Sequence, residues 1–385
     1  MKPFNVEELL ASARARTGLA DFGPADFREG LEVFVNCLNA QGEIGEQSWD
    51  HVHERLLRLL MNRLWFAKDM TEHPEIADED VGYPVVIAAL PRTGSTKLHR
   101  MLGASGDFQT MPFWKTHMFA RIPGLEDGGV DRRIQETLDF EKWMYEVSPE
   151  ILTGHPMFTH EPEEDQWLCE CGFRQNVFAG IFNVPGYGEW LMQSDQQPVH
   201  DYFLSQLKYL QWQFKPQVAK PWLLKSPDHF GSEKDLIKIF KKPRFIVTHR
   251  DPVKCMPSIT STVLYLRKLY LEHPEANTVG SVLVAMVAHM AAEHVKWRDE
   301  NPDVQVLDLS FPEINKNCMS AAQKVYDFLG MPLTARAEKA MHDWEQNNQR
   351  EKHGKNVYSL EMMGATEDSI HQAFAPYMER YAAFI

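Results

Sequence analysis

Apolar positions along the chain change period several times, and each change marks an element. Val85 to Leu90 is an unbroken run of small and β-branched apolar residues, which predicts a strand buried on both faces of a parallel sheet. Trp222-Leu223-Leu224-Lys225, Arg244 to Arg250 and Val304 to Leu309 predict three more strands. Between them the spacing turns helical, with helices expected from Leu98 to Leu102, 131–145, 201–214, 232–240, Asp251 toward Tyr270, 279–300, 312–329 and 333–347. Asp251-Pro252 is an N-cap followed by proline at the first helical position. Pro162 before Glu163, Glu164 and Asp165 predicts a further helix start, its carboxylates solvated in the first turn. Residues 1–80 lack strand alternation. Val6, Leu9 and Leu10, then Phe27 to Leu38, then Gln47 to Met70 predict three helices. The expected fold class is α/β: a P-loop-like parallel sheet flanked by helices in residues 81–385, with an N-terminal helical extension in residues 1–80. That extension is expected to pack on the core or to dock a partner subunit in a homo-oligomer.

In such a sheet, ligands gather at the carboxyl ends of the strands. The first strand runs into Pro91-Arg92-Thr93-Gly94-Ser95-Thr96 and then into a helix. Strand, glycine turn and helix N-terminus together aim backbone N–H groups and a helix dipole at one point. Arg92 adds a cation able to clamp an anion, and Thr93, Ser95 and Thr96 add hydroxyl donors. The stretch reads as a phosphate cradle. It lacks the Gly-Lys pair of the Mg²⁺-dependent nucleotide loop. Lys225 and Arg250 end the second and third predicted strands, so three cations fall at one edge of the sheet.

Composition narrows the partner. With 385 residues, 44% of them hydrophobic, the chain can bury a full core, and a net charge of −14 argues against general nucleic-acid binding. An anionic ligand must then be held by local groups. Five cysteines, including Cys169-x-Cys171, show no metal-type spacing, and no metal site is expected. Met1 to Asn5 has no signal-type apolar core. The longest apolar run, Val282 to Ala292, is interrupted by His289 and is short for a membrane span. A soluble, cytoplasmic protein is the expectation.

Pro91-Arg92-Thr93-Gly94-Ser95-Thr96 resembles the 5′-phosphosulfate loop of sulfotransferases, Pro-Lys/Arg-Ser/Thr-Gly-Thr/Ser-Thr. His249-Arg250-Asp251-Pro252 with Ser258 resembles the family's 3′-phosphate segment, although Pro257 departs from the usual helix there. Phe311-Pro312-Glu313-Ile314 before Tyr326 to Gly330 resembles its Tyr-Glu-Asp segment. Arg350, His353, Gly354 and Lys355 are similar to its late basic loop, in the form of the bacterial branch. These motifs occur in the family's order across residues 84–381. Lys97 stands where animal cytosolic members often carry Trp, so an adenine must stack elsewhere.

The resemblance implies a metal-free transfer from 3′-phosphoadenosine 5′-phosphosulfate (PAPS) to a hydroxyl or amine. It places Arg92 at the leaving phosphate, Lys225 near the sulfuryl group, Arg250 and Ser258 on the second phosphate, and Phe311 beside the adenine. For the general base it points to His155, in a His-x₆-Pro-Glu-Glu pattern and backed by Glu164; the residues themselves offer His229 as an equal candidate and His117 as a third. The aromatic and Met-rich stretches 108–119 and 173–190 suit either an apolar pocket for a small hydroxylated acceptor or ordinary core. A phosphotransferase and a catalytically silent nucleotide binder are the rival functions.

Overall fold

Four strands, β1 (Val85–Ala89), β2 (Leu223–Ser226), β3 (Arg244–His249) and β4 (Val306–Ser310), form one sheet in the order β2-β1-β3-β4. The structure is a computed structural model describing residues 2–124, 131–215, 218–349 and 352–385. All neighbours run parallel, with Ala88 opposite Ser226, Ala89 opposite Thr248 and His249 opposite Ser310. The register therefore brings the carboxyl ends of all four strands to one edge. β1 is buried throughout, as its composition demands: Val85 and Ile87 face one apolar cluster, Val86 and Ala88 another.

Three helices precede the sheet: α1 (Val6–Thr17), α2 (Phe27–Gln41) and α3 (Trp49–Glu72). Their apolar faces join the same buried cluster as Val86 and Leu224. Phe34 of α2 lies 4.5 Å from the ring of Phe178 and 5.3 Å from that of Tyr187. Most of the aromatics in 173–190 are thus core against α2, and Phe108 to Phe119 are buried in the core as well. The helix Ala276–Glu300 is long and apolar enough to cross a membrane by length and composition. In this fold it buries one stripe, Val279, Leu283, Val287, Ala291, His294 and Trp297.

Three sequence expectations are corrected. Pro162 does not begin a helix: it bridges to Pro112, the Glu163 N–H donates to the Met111 carbonyl, and the helix begins only at Gln166. Glu163, Glu164 and Asp165 are buried instead of solvated, because buried cations draw them inward. The expected helix 312–329 is two, Phe311–Lys316 and Cys318–Leu329, separated at Asn317. The Ser310–Glu313 capping box starts the first of them at the end of β4. The helix Pro252–Arg267 continues through Pro257.

Candidate functional site

Between β1 and helix α4 (Ser95–Ala104) the backbone turns through two left-handed residues, Arg92 at φ +70° and Gly94 at φ +90°. A non-glycine residue held there costs on the order of 1–2 kcal/mol, strain that the surrounding packing has to sustain. At Gly94 a side chain would be crowded as well: a Cβ would lie 3.1 Å from Asn315 Nδ2 and 3.3 Å from Ile314, so these neighbours would have to give by a few tenths of an ångström. The Thr93 hydroxyl donates to the Leu90 carbonyl at 2.7 Å and lies 2.6 Å from Thr248 Oγ1. It anchors the turn to β3 and, contrary to the sequence expectation, does not face the cavity. Ser95 and Thr96 do. α4 has no side-chain N-cap and no acidic residue in its first turn, so its leading N–H groups face the cavity mouth without a competing anion.

A cavity of about 390 Å³ opens at this edge of the sheet and brings together residues far apart in sequence. Arg250, at the end of β3, lies 4.1 Å over the Phe311 ring and donates to the Arg92 carbonyl at 2.9 Å. Arg92 Nε donates to Ser258 Oγ at 3.0 Å. Gly354 and Lys355 line the same space. His353 is exposed, its ring 5.6 Å from Phe158, and Arg350 lies outside the described residues. Lys97 is paired with Glu345 at 3.0 Å.

The acidic triplet distributes itself over four basic side chains, two on Glu163 and one on each of the others. Glu163 takes His155 (Nε2 to Oε1, 2.9 Å) and Arg100 (3.0 Å). Glu164 takes Lys225, whose ammonium also donates to Thr96 Oγ1 at 3.2 Å. Asp165 takes His229 (2.9 Å) and the Lys225 backbone N–H (3.0 Å). The expected His155–Glu164 pairing is therefore replaced by His155–Glu163. His155, Glu164 and Lys225 face the cavity, whereas His229 is buried behind it against Asp165 and Phe203. His117 lies elsewhere, packed between Phe113 and Phe140, and burial beside Arg58 and Arg55 holds its pKa well below the ordinary value. Burial alone would raise Glu163, but His155, Arg100 and Lys225 hold it far below the usual carboxylate range. Ligand atoms of His155, Glu163 and Glu164 converge within 4.8 Å, close enough to hold a cation, a place that Lys225 and Arg100 already fill with positive charge.

Beyond Lys225 the cavity becomes apolar. Its walls are Trp167, Val177 and Ile181, with Val263 and Leu266 of Pro252–Arg267 and Leu283 of Ala276–Glu300. Apart from Val177 and Ile181, this arm is built from outside the two aromatic stretches that drew attention in the sequence. Helical spacing would have marked Val263, Leu266 and Leu283 only as core. One acid stands in the arm: Asp228, in the turn after β2, accepts from Asn176 at 3.1 Å, and its Oδ2 is buried without a partner. Sequence gave no reason to separate it from its neighbours in Ser226-Pro227-Asp228-His229.

Burial, reinforced by Glu164 and Asp165 and opposed by Asn176 and His229, pushes the Asp228 carboxyl up to about 6. Its unfolded value lies near 3.9, so between these values the folded state holds the extra proton. Stability from this group is therefore full below about pH 4 and lost as pH rises through 6. Asp228→Asn, which can keep the Asn176 hydrogen bond, is expected to stabilise the protein at pH 7 by on the order of 2 kcal/mol. The gain should fade toward pH 4. Urea unfolding of both proteins at the two pH values measures it, and a pH-independent difference would contradict the assignment.

No curated protein matches the sequence significantly. The fold is similar to sulfotransferase STF9 from Mycobacterium avium, with a TM-score of 0.86 at 22% identity over 98% of this chain and 96% of that one. It is also similar to sulfotransferase STF1 from Mycobacterium tuberculosis H37Rv, with a TM-score of 0.83 at 23% identity over 97% and 99% of the two chains. The family model described as "Sulfotransferase family" matches residues 84–335, from the residue before β1 through the first two helices that follow β4. The chain belongs to the sulfotransferase family.

Proposed function

We propose that the protein transfers the sulfuryl group of PAPS to a hydroxyl or amine of a small, apolar acceptor. The observation that carries this reading is that two anion anchors share one cavity with an apolar arm. One anchor is the uncapped N-terminus of α4 with Arg92; the other is Arg250 with Ser258. Phe311, already stacked on Arg250, offers the flat face an adenine needs, and Gly94 keeps the floor of the cradle free of a side chain. PAPS, when bound, supplies the activated sulfuryl group.

The chain's own groups then have distinct tasks. Lys225, held by Glu164 beside Thr96, and Arg92 neutralise charge that builds on the transferred group and the leaving oxygen. Glu163 accepts from the His155 Nε2–H and fixes that tautomer, which leaves the Nδ1 lone pair to take the proton of an acceptor hydroxyl. The carboxylate then offsets the charge on the imidazolium. Pairing of His229 with Asp165, behind the cavity, favours a structural role for it.

Thermal unfolding with 3′,5′-ADP (PAP), 5′-AMP and ATP–Mg²⁺ tests the reading. PAP is expected to stabilise the protein by about 2.7 kcal/mol at a hundredfold excess over Kd, and 5′-AMP by clearly less. Stabilisation by ATP–Mg²⁺ alone would replace the proposal with phosphotransfer. Tight PAP binding without PAPS turnover on a broad acceptor panel would make the protein a silent binder.

A further inference from the structure

The apolar arm ends on a polar pair that the transfer chemistry above leaves unused. Asp228 is fixed on both sides: its N–H donates to Ser226 Oγ at 3.1 Å and its Oδ1 accepts from Asn176 Nδ2 at 3.1 Å. Its Oδ2 has no partner and no solvent-accessible surface, so a ligand's donor reaches it once the carboxylate turns toward the cavities that Asp228 lines. Leaving a buried acceptor unsatisfied is costly, and the cost is recovered when a ligand brings a donor. Asn176 opens the short helix whose Val177 and Ile181 form the apolar wall, so wall and polar pair are positioned together. A second cavity, of about 360 Å³, lies behind the pair and shares Asn176, Asp228, Met286 and Met290 with the first. Methionines in that partition can shift to admit a chain, and beyond them the wall turns polar with His200, Asp235, His289 and Glu293. The groups that set the charge at Asp228 from neighbouring segments are Glu164, Asp165 and His229, with two carboxylates against one imidazole. A hydrogen-bond donor suits this place; a further acceptor does not.

We propose that Asp228, steadied by Asn176, reads a second donor on the acceptor, so that the substrate class is an elongated apolar molecule carrying a remote hydroxyl or ammonium group in addition to the one that receives the sulfuryl group. The inference rests on the sulfuryl-transfer reading and names the acceptor class of that site. It is a specificity role: Asp228 touches the far end of the acceptor, while the proton of the reacting hydroxyl goes to His155. A site built to bind a donor discriminates strongly against an analogue lacking it, because the buried acceptor is then left unpaired.

The test compares α,ω-alkanediols and amino alcohols of increasing chain length with n-alkanols of the same length. Both kcat/KM with PAPS and thermal protection of the PAP-loaded protein are measured, so that the comparison does not depend on turnover. At the matching length, a diol or amino alcohol is expected to exceed its alkanol by more than about tenfold, beyond the statistical advantage of two equivalent ends. Diol against amino alcohol shows whether the donor is neutral or charged. Asp228→Asn, expected to fold stably, should reduce that ratio to within about threefold while PAP affinity is unchanged. No preference at any length, or a preference that survives Asp228→Asn, overturns the proposal while sulfuryl transfer stands. An equal loss of kcat for both members of each pair overturns it too, by making Asp228 the base. Absence of PAP binding removes the underlying reading instead, and the two failures are thereby told apart.

Discussion

Lys225→Met is expected to lower kcat by roughly two to three orders of magnitude, the scale of removing a preorganised charge from a transition state. The ammonium lies buried at the end of β2, held between the Glu164 carboxylate and Thr96 Oγ1. A charge fixed there acts on the transferred group without having to reorganise. The substitution also strands Glu164, and an uncompensated buried charge costs about 3–5 kcal/mol of stability. Chemistry and folding must therefore be separated. Adding Glu164→Gln removes the stranded charge, so the double variant should recover most of the lost stability in urea unfolding yet remain slow in PAPS turnover. Recovery of both would show that Lys225 serves the fold alone.

Arg250→Ala should weaken PAP binding by about a hundredfold or more, as truncation of one partner in a hydrogen-bonded charge pair does. Affinity for 5′-AMP, which lacks the second phosphate, should change far less. Arg250 also donates to the Arg92 carbonyl and so supports the left-handed residue of the cradle. Titration calorimetry with both nucleotides distinguishes the two effects. Selective loss of PAP affinity marks a phosphate contact, and equal loss of both marks a collapsed loop. Arg250→Lys keeps the charge without the planar fork that stacks on Phe311, and is expected to fall between.

Local chemistry was enough for the sequence to determine the strands, most helix starts and the glycine turn between β1 and α4. An unbroken apolar run such as Val85 to Leu90 suits only a strand covered on both faces, Asp251-Pro252 starts a helix wherever it stands, and a turn glycine ahead of α4 sets the direction of its N–H groups. These depend on a few adjacent residues, and tertiary packing has little room to override them. Pairings between segments were not legible in that way. Local rules place Glu163, Glu164 and Asp165 in a solvated first turn. The fold pins them between Met111 and Lys225, and each then meets the basic side chains that its own direction reaches, His155 and Arg100, Lys225, or His229. The same limit applies to apolar residues, since hydrophobicity says that Phe178 and Ile181 are buried but not that one meets Phe34 and the other an open cavity. Asp228 is the clearest case. Its composition and neighbours read as an ordinary turn acid, and only the helices packed around it remove the water that would have satisfied its free oxygen. What the sequence determined was the set of groups and their local geometry; which of them meet at one cavity was decided by the tertiary structure, because burial belongs to the packing of distant segments and not to any one of them.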